Sequence, residues 1–244
     1  MVDSFAPEQV ALAAAIAALA GVVRGITGFG GAMVMSPPLA LLLGPVVTVP
    51  VVLLLEGLAA APMFHETRRL VHWPVLGPLL GMAVITVPIG AYALTHIDPL
   101  AMRRAIAGVV VLFSLLLLLG WRYAGRQRVG TSVGLGALAG SMVGATSVGG
   151  PPVILYLLAG PDPIDVTRAN LTYFVGGISL AALVALWANG VLGRGEIGLA
   201  LVLTPGYYLG IVAGTRLFAR LNDRRFRQFT LLFMLTVAAF VLVA

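Results

Sequence analysis

Along this chain the apolar residues gather into long runs, separated by short clumps of arginine, aspartate, proline and glycine. The long runs cover about 7–27, 46–64, 73–94, 99–119, 129–147, 166–188, 196–218 and 223–243. Each is near the roughly 20 residues that a helix needs to cross a bilayer's hydrocarbon core. Two further runs, about 32–43 and 151–160, are too short to span comfortably. Each short run follows a glycine pair and carries two prolines: Gly30-Gly31 with Pro37-Pro38, and Gly149-Gly150 with Pro151-Pro152. Broken helices survive at membrane depth only where protein or a wet cavity satisfies the freed backbone. The pattern therefore predicts an all-α, polytopic integral membrane protein. It has eight long and two short or broken helical segments in one transmembrane domain, 1–244.

Composition narrows the function classes. Of 244 residues, 60% are hydrophobic and only 10% charged, against roughly 25% charged in a soluble domain. A cytosolic enzyme and a nucleic-acid binder are excluded as readings. The 15 basic residues are all arginine, and the net charge of +6 reads as the positive-inside bias of a membrane protein. The acidic start, Met1 to Glu8, lacks the basic region of a cleaved signal peptide, so none is expected. Cysteine is absent, which removes thiol and iron–sulfur chemistry. His65, His72 and His96 show no metal-ligand spacing, and no paired carboxylates or nucleophile–base set appears. No metal, no cofactor and no enzymatic activity is expected.

The two breaks repeat one another. Residues 21–31 align without gaps on 140–150 at an offset of 119, with five of eleven positions identical. Pro88-Ile89-Gly90-Ala91 resembles Val212-Ala213-Gly214-Thr215 at an offset of 124, and the loop 98–103 then falls on 222–227. Two halves follow, about 7–120 and 129–244. Arginines orient them: the loop of Arg122, Arg126 and Arg128 and that of Arg216, Arg220, Arg224, Arg225 and Arg227 read as cytoplasmic, as do Arg68 and Arg69. Arg103 and Arg104 then fall outside, the one conflict. Five segments per half is an odd number, so the halves are expected to be inverted, as in many secondary transporters.

In such carriers the substrate sits near the midplane, where discontinuous helices expose amides with partial positive charge. Thr27, Gly28, Phe29, Gly30 and Gly31 would form one wall, and Thr146, Ser147, Gly149, Gly150, Pro151 and Pro152 the other. Proline in a helix's first turn wastes no donor, and bare amides beside small hydroxyls suit an anion. Close helix packing would explain the same glycines. Asn170 offers an uncharged donor one turn inside its segment. Arg24 either reaches the site or snorkels to the interface. Glu56, mid-segment, reads either as a proton-coupling group or as the fixed partner of an arginine or a helix amide. Tyr207 and Tyr208 lie mid-segment and read as path-lining or packing residues. Trp73, Trp121 and Trp187 stand at segment ends, as interface anchors do.

The motifs Gly25-Ile26-Thr27-Gly28-Phe29-Gly30-Gly31 with Pro37-Pro38, and Gly144-Ala145-Thr146-Ser147-Val148-Gly149-Gly150-Pro151-Pro152-Val153, resemble the TauE/SafE family of anion permeases. Length, duplicated halves and the central arginine loop are similar too. The resemblance implies transport of sulfite, sulfonates or related organic anions across the bacterial inner membrane. Many members have Phe in the second motif and Thr-Ser near the following helix start; this chain has Val148 and Asn170-Leu171. The expected function is secondary transport of a small anion by alternating access. An anion channel or an accessory subunit without gradient coupling is the alternative. The expected partners are the small anion, the lipid bilayer and, as one oligomeric state, a second copy in a homodimer; no nucleic acid is expected.

Overall fold

A computed structural model describes residues 5–218, apart from 122, 124 and 126, together with 232, 235, 236 and 238–242. Its helices are α1 (Pro7–Thr27), α2 (Gly31–Leu43), α3 (Pro45–Thr67), α4 (Trp73–His96), α5 (Pro99–Leu118), α6 (Val129–Thr146), α7 (Gly150–Leu157), α8 (Ile164–Ala188) and α9 (Arg194–Phe218). Among the described residues there is no strand, and seven helices are long and apolar enough to cross a membrane. The expected segment 223–243 lies largely outside the described residues, as do Arg122, Arg126 and the arginines at 220, 224, 225 and 227.

Local chemistry accounts for the boundaries. Proline occupies the first turn of α1, α3, α4, α5 and α7, where its missing N–H costs no intrahelical bond. At α5 the Asp98 carboxylate also accepts from the Leu100 and Ala101 amides at 2.9 and 3.0 Å, a side-chain cap. The second short segment is shorter than its apolar run, ending at Leu157. There the Gly160 N–H turns back to the Leu157 carbonyl at 3.1 Å, and Pro161 and Pro163 cannot continue the helix. Pro37 and Pro38 do not break α2. They lie inside it, so the first break rests on its glycines alone.

Two helix pairs pack with unusual closeness, α1 on α9 and α4 on α6. A side chain at Gly21 or Gly25 would strike the carbonyls of Tyr207 or Ile211. One at Gly140 or Gly144 would strike those of Ala83 or Val87. These are equivalent positions, since 21 and 25 become 140 and 144 at the offset of 119, while 83 and 87 become 207 and 211 at 124. The reciprocal contacts match as well, Gly214 against the Val22 carbonyl and Gly90 against that of Ser141. Small residues at these crossings let backbones meet where lipid supplies no hydrophobic drive.

Contacts also fix direction. Gly210 and Gly214 of α9 meet Ala18 and Val22 of α1, so those helices run parallel; Gly136, Gly140 and Gly144 meet Leu79, Ala83 and Val87, so α4 and α6 do too. Gly57 faces Ser179 and Ala60 faces Gly176, while the Tyr173 hydroxyl donates to the Phe64 carbonyl at 2.9 Å; α3 and α8 are antiparallel. The outer flanks carry Ile85, Ile89, Leu180, Val184 and Leu209 exposed, an apolar rim suited to lipid rather than water. Trp73, Trp121 and Trp187 are exposed as well.

Candidate functional site

The first break begins where α1 ends on a left-handed residue. Gly28 has φ 76° and Gly30 has φ 87°, a backbone region that side chains disfavour. The Thr27 hydroxyl donates to the Val23 carbonyl at 2.8 Å and accepts from the Phe29 amide at 3.3 Å, tying the turn to the helix it leaves. Phe29 packs partly buried on the core formed with Met33, Val34 and Met35.

The second break repeats this chemistry 119 residues later. The Thr146 hydroxyl donates to the Met142 carbonyl at 2.8 Å and accepts from the Val148 amide at 3.2 Å. Ser147 takes the place of Gly28 and is left-handed too, at φ 59°, a conformation costing a non-glycine residue about 1–2 kcal/mol. The two breaks differ in access. Thr27, Phe29 and Gly30 are half-buried and Gly28 is exposed, whereas Thr146, Ser147, Val148 and Gly149 are buried. Gly150 opens α7 with Pro151 and Pro152 behind it, both buried.

One hydrogen bond joins α2 to the second break: Ser36 Oγ lies 2.8 Å from Ser147 Oγ, both fully or nearly buried. Either hydroxyl can be the donor in this pair. Val148 and the residues Met33 to Met35 share one hydrophobic core with Val23. The two breaks thus face a common interior.

Against the first break stands a buried ionic cluster. Arg24 forms an ion pair with Glu56 Oε2, and the Tyr207 hydroxyl donates to Glu56 Oε1 at 2.7 Å. Glu56 is 5% exposed and Tyr207 0%. A side chain on Gly31 would strike both Glu56 Oε1 and the Tyr207 hydroxyl, so the carboxylate lies at the opening turn of α2. Arg24 turns inward to this cluster rather than to the interface. Of the paired readings of Glu56, the arginine partnership is seen in the geometry. Tyr208 donates instead to the Leu58 carbonyl.

Asn170 is placed elsewhere. Fully buried, its Oδ1 accepts from the His72 amide at 2.9 Å, while Nδ2 has no partner. His72 Nδ1 lies 2.8 Å from Asp162 Oδ2. This cluster fastens the starts of α4 and α8 to the loop after α7, and among the described residues no hydrogen bond connects it to either break. A cavity of about 440 Å³ opens between α5, α6 and α7, lined by Phe113, Leu116, Leu135, Leu138 and Tyr156; its apolar wall offers an anion little. Among the described residues no three His, Asp or Glu side chains gather as a metal site.

Two members of this geometry were not singled out as site residues from sequence. Ser36 carries no signal beyond a hydroxyl in an apolar run. Tyr207 carries one: it is polar where its counterpart at the 124-residue offset, Ala83, is apolar.

Neither a curated protein nor a solved structure matches the chain. A family model does, that of the sulfite exporter TauE/SafE, over residues 13–241. With nearly the whole chain covered and seven membrane-length helices in place, the protein belongs to the TauE/SafE sulfite exporter family, a family of membrane transporters.

Proposed function

We propose that this chain is a secondary transporter of small sulfur oxyanions, sulfite or a sulfonate, which binds between the two glycine breaks. The observation carrying the reading is the Ser36–Ser147 hydrogen bond, which draws the helix following one break onto the other break. Thr27, Gly28, Phe29, Gly30 and Gly31 form one wall; Thr146, Ser147, Gly149, Gly150 and Pro151 form the other. Free amides at the start of α2, together with that of Gly150 at the start of α7, solvate the anion, Arg24 supplies the counter-charge, and Glu56 couples transport to protons. Asn170 contributes at the inner mouth of the path, through the unpaired Nδ2 rather than at the breaks.

The chain is read as two inverted repeats. Matched glycine–carbonyl contacts in α1–α9 and α4–α6 support this, as does the antiparallel crossing of α3 with α8. With short loops reversing successive spans, each helix of the first half runs opposite to its counterpart. Such a pair of halves can rock about a shared site, giving alternating access. The half-exposed first break and the buried second break support a state open on one side. The arginine bias puts that side, where α1 and α9 end, in the cytoplasm of a bacterial cell whose inner membrane holds the protein.

Uptake of labelled sulfite and of methanesulfonate into proteoliposomes tests the reading. Saturable flux in which one anion competes with the other is expected. No saturable flux of either anion overturns it.

A further inference from the structure

The proton-coupling residue sits in the place an anion would take. Glu56 has both carboxylate oxygens engaged, Oε2 by Arg24 and Oε1 by Tyr207, at the N-terminal turn of α2. A guanidinium, a hydroxyl donor and a helix start are what a sulfonate or sulfite headgroup needs. The protein supplies that anion from its own α3.

We propose that Glu56 is a tethered stand-in for the substrate, displaced from Arg24 by the transported anion and neutralised by a proton as it leaves. The inference rests on the transport reading above and adds its coupling rule.

Charge arithmetic gives the rule. The resting pair of Arg24 and Glu56 is neutral. A monoanion entering beside an ionised Glu56 would leave one uncompensated negative charge in a buried site, which is strongly unfavourable. If Glu56 takes a proton from the aqueous side to which the site is open, Arg24 and the anion form a neutral pair in its place. The protonated carboxyl keeps its contact with Tyr207. Once the site has opened to the opposite side, the anion departs, Glu56 gives its proton to that opposite side, and the carboxylate returns to Arg24. One proton therefore crosses with each monoanion, in the same direction and with no net charge moved.

Among the described residues few other groups bear on Glu56. Arg24 faces it from α1 and Tyr207 from α9, with Tyr208 adjacent but bonded to Leu58. The α2 and α6 segments contain no titratable residue. On α8 the approaching group is Tyr173, which bonds the Phe64 carbonyl further along α3. On α5 the titratable residues are Arg103 and Arg104, both in the opening turns. Tyr207 is a positioning residue: it holds the carboxylate against Gly31 and keeps hold of it when Glu56 leaves Arg24, so it touches no substrate.

Methanesulfonate is the probe, because its charge does not titrate. In proteoliposomes holding a trapped pH dye, the wild-type chain should acidify the lumen as methanesulfonate enters, one proton per anion. An imposed membrane potential should leave its rate unchanged. Glu56→Gln removes both the competitor and the proton carrier. Its flux should persist without acidification, become sensitive to the potential, and saturate at a roughly tenfold or more lower methanesulfonate concentration. Tyr207→Phe should keep one proton per anion but shift the pH midpoint of flux, which a merely structural loss would not do. If Glu56→Gln does not fold, Arg24→Gln/Glu56→Gln replaces it, and this pair should lose acidification and methanesulfonate-induced thermal stabilisation together. Saturable wild-type flux that carries net charge and no proton overturns the inference and leaves the transport reading standing. Acidification persisting in Glu56→Gln also overturns it. Absence of any wild-type flux overturns both.

Discussion

The two glycine breaks are built alike and furnished differently. In each, a threonine hydroxyl bonds the carbonyl four residues back and the amide two residues on. In each, the residue after the threonine is left-handed. In each, the entering helix lies on glycines against carbonyls of its partner. Yet the first break holds Arg24, with Glu56 and Tyr207 facing it, while the second has Val143 and Ala83 at the places of Arg24 and Tyr207. The backbone frame is duplicated; the charge is not. On the proposed reading, that division separates what holds the fold from what selects and couples the substrate.

Substitutions at matched places sharpen the contrast. Arg24→Gln should have the largest effect, abolishing anion flux, because it removes the counter-charge and strands Glu56. Losing one partner of a buried pair costs about 3–5 kcal/mol, so thermal unfolding should fall too. Val143→Ala at the matched place should leave flux within a few-fold. Measuring both in proteoliposomes tests whether charge belongs to one half alone.

Next in size is the frame. Gly25→Val and Gly144→Val each drive a side chain into a partner carbonyl, at Ile211 and Val87 respectively. Overpacking of this kind costs about 1–3 kcal/mol or more, and the two losses should be similar in a thermal unfolding series. A large loss at one site with none at the other would break the equivalence of the halves.

Smaller effects come from the turns. Ser36→Ala removes the bond to Ser147 and should cost about 1 kcal/mol, with flux falling more than stability if α2 must stay seated on the second break. Thr27→Val and Thr146→Val should cost a similar amount each. A stability loss confined to Thr146→Val would indicate that only the buried break needs its hydroxyl.

Helix boundaries were legible because spanning segments announce themselves by length and apolarity, and turns by proline and glycine. Seven of the eight long runs are found as membrane-length helices within a few residues, and the other falls mostly beyond the described residues. The end of α7 was read late, since the apolar run continues past Leu157 while Gly160 and Pro161 turn the backbone. Local pattern also flagged Arg24 and Glu56 as costly buried charges, but not that they meet. Their contact depends on how α1 crosses α3, and sequence periodicity carries no crossing angle. Asn170 shows the same limit from the other side. Its position near the start of α8 was readable, but its bond to His72, on α4's first cap, depends on tertiary packing.

The central claim is that an anion sits between the breaks, within reach of Arg24. Anomalous diffraction from crystals soaked in selenite, the selenium counterpart of sulfite and largely a monoanion at neutral pH, measures this directly. The account predicts a selenium peak between residues 28–31 and 147–150, lost in Arg24→Gln. A peak confined to other parts of the molecule, at concentrations where selenite competes with sulfite flux, would contradict it.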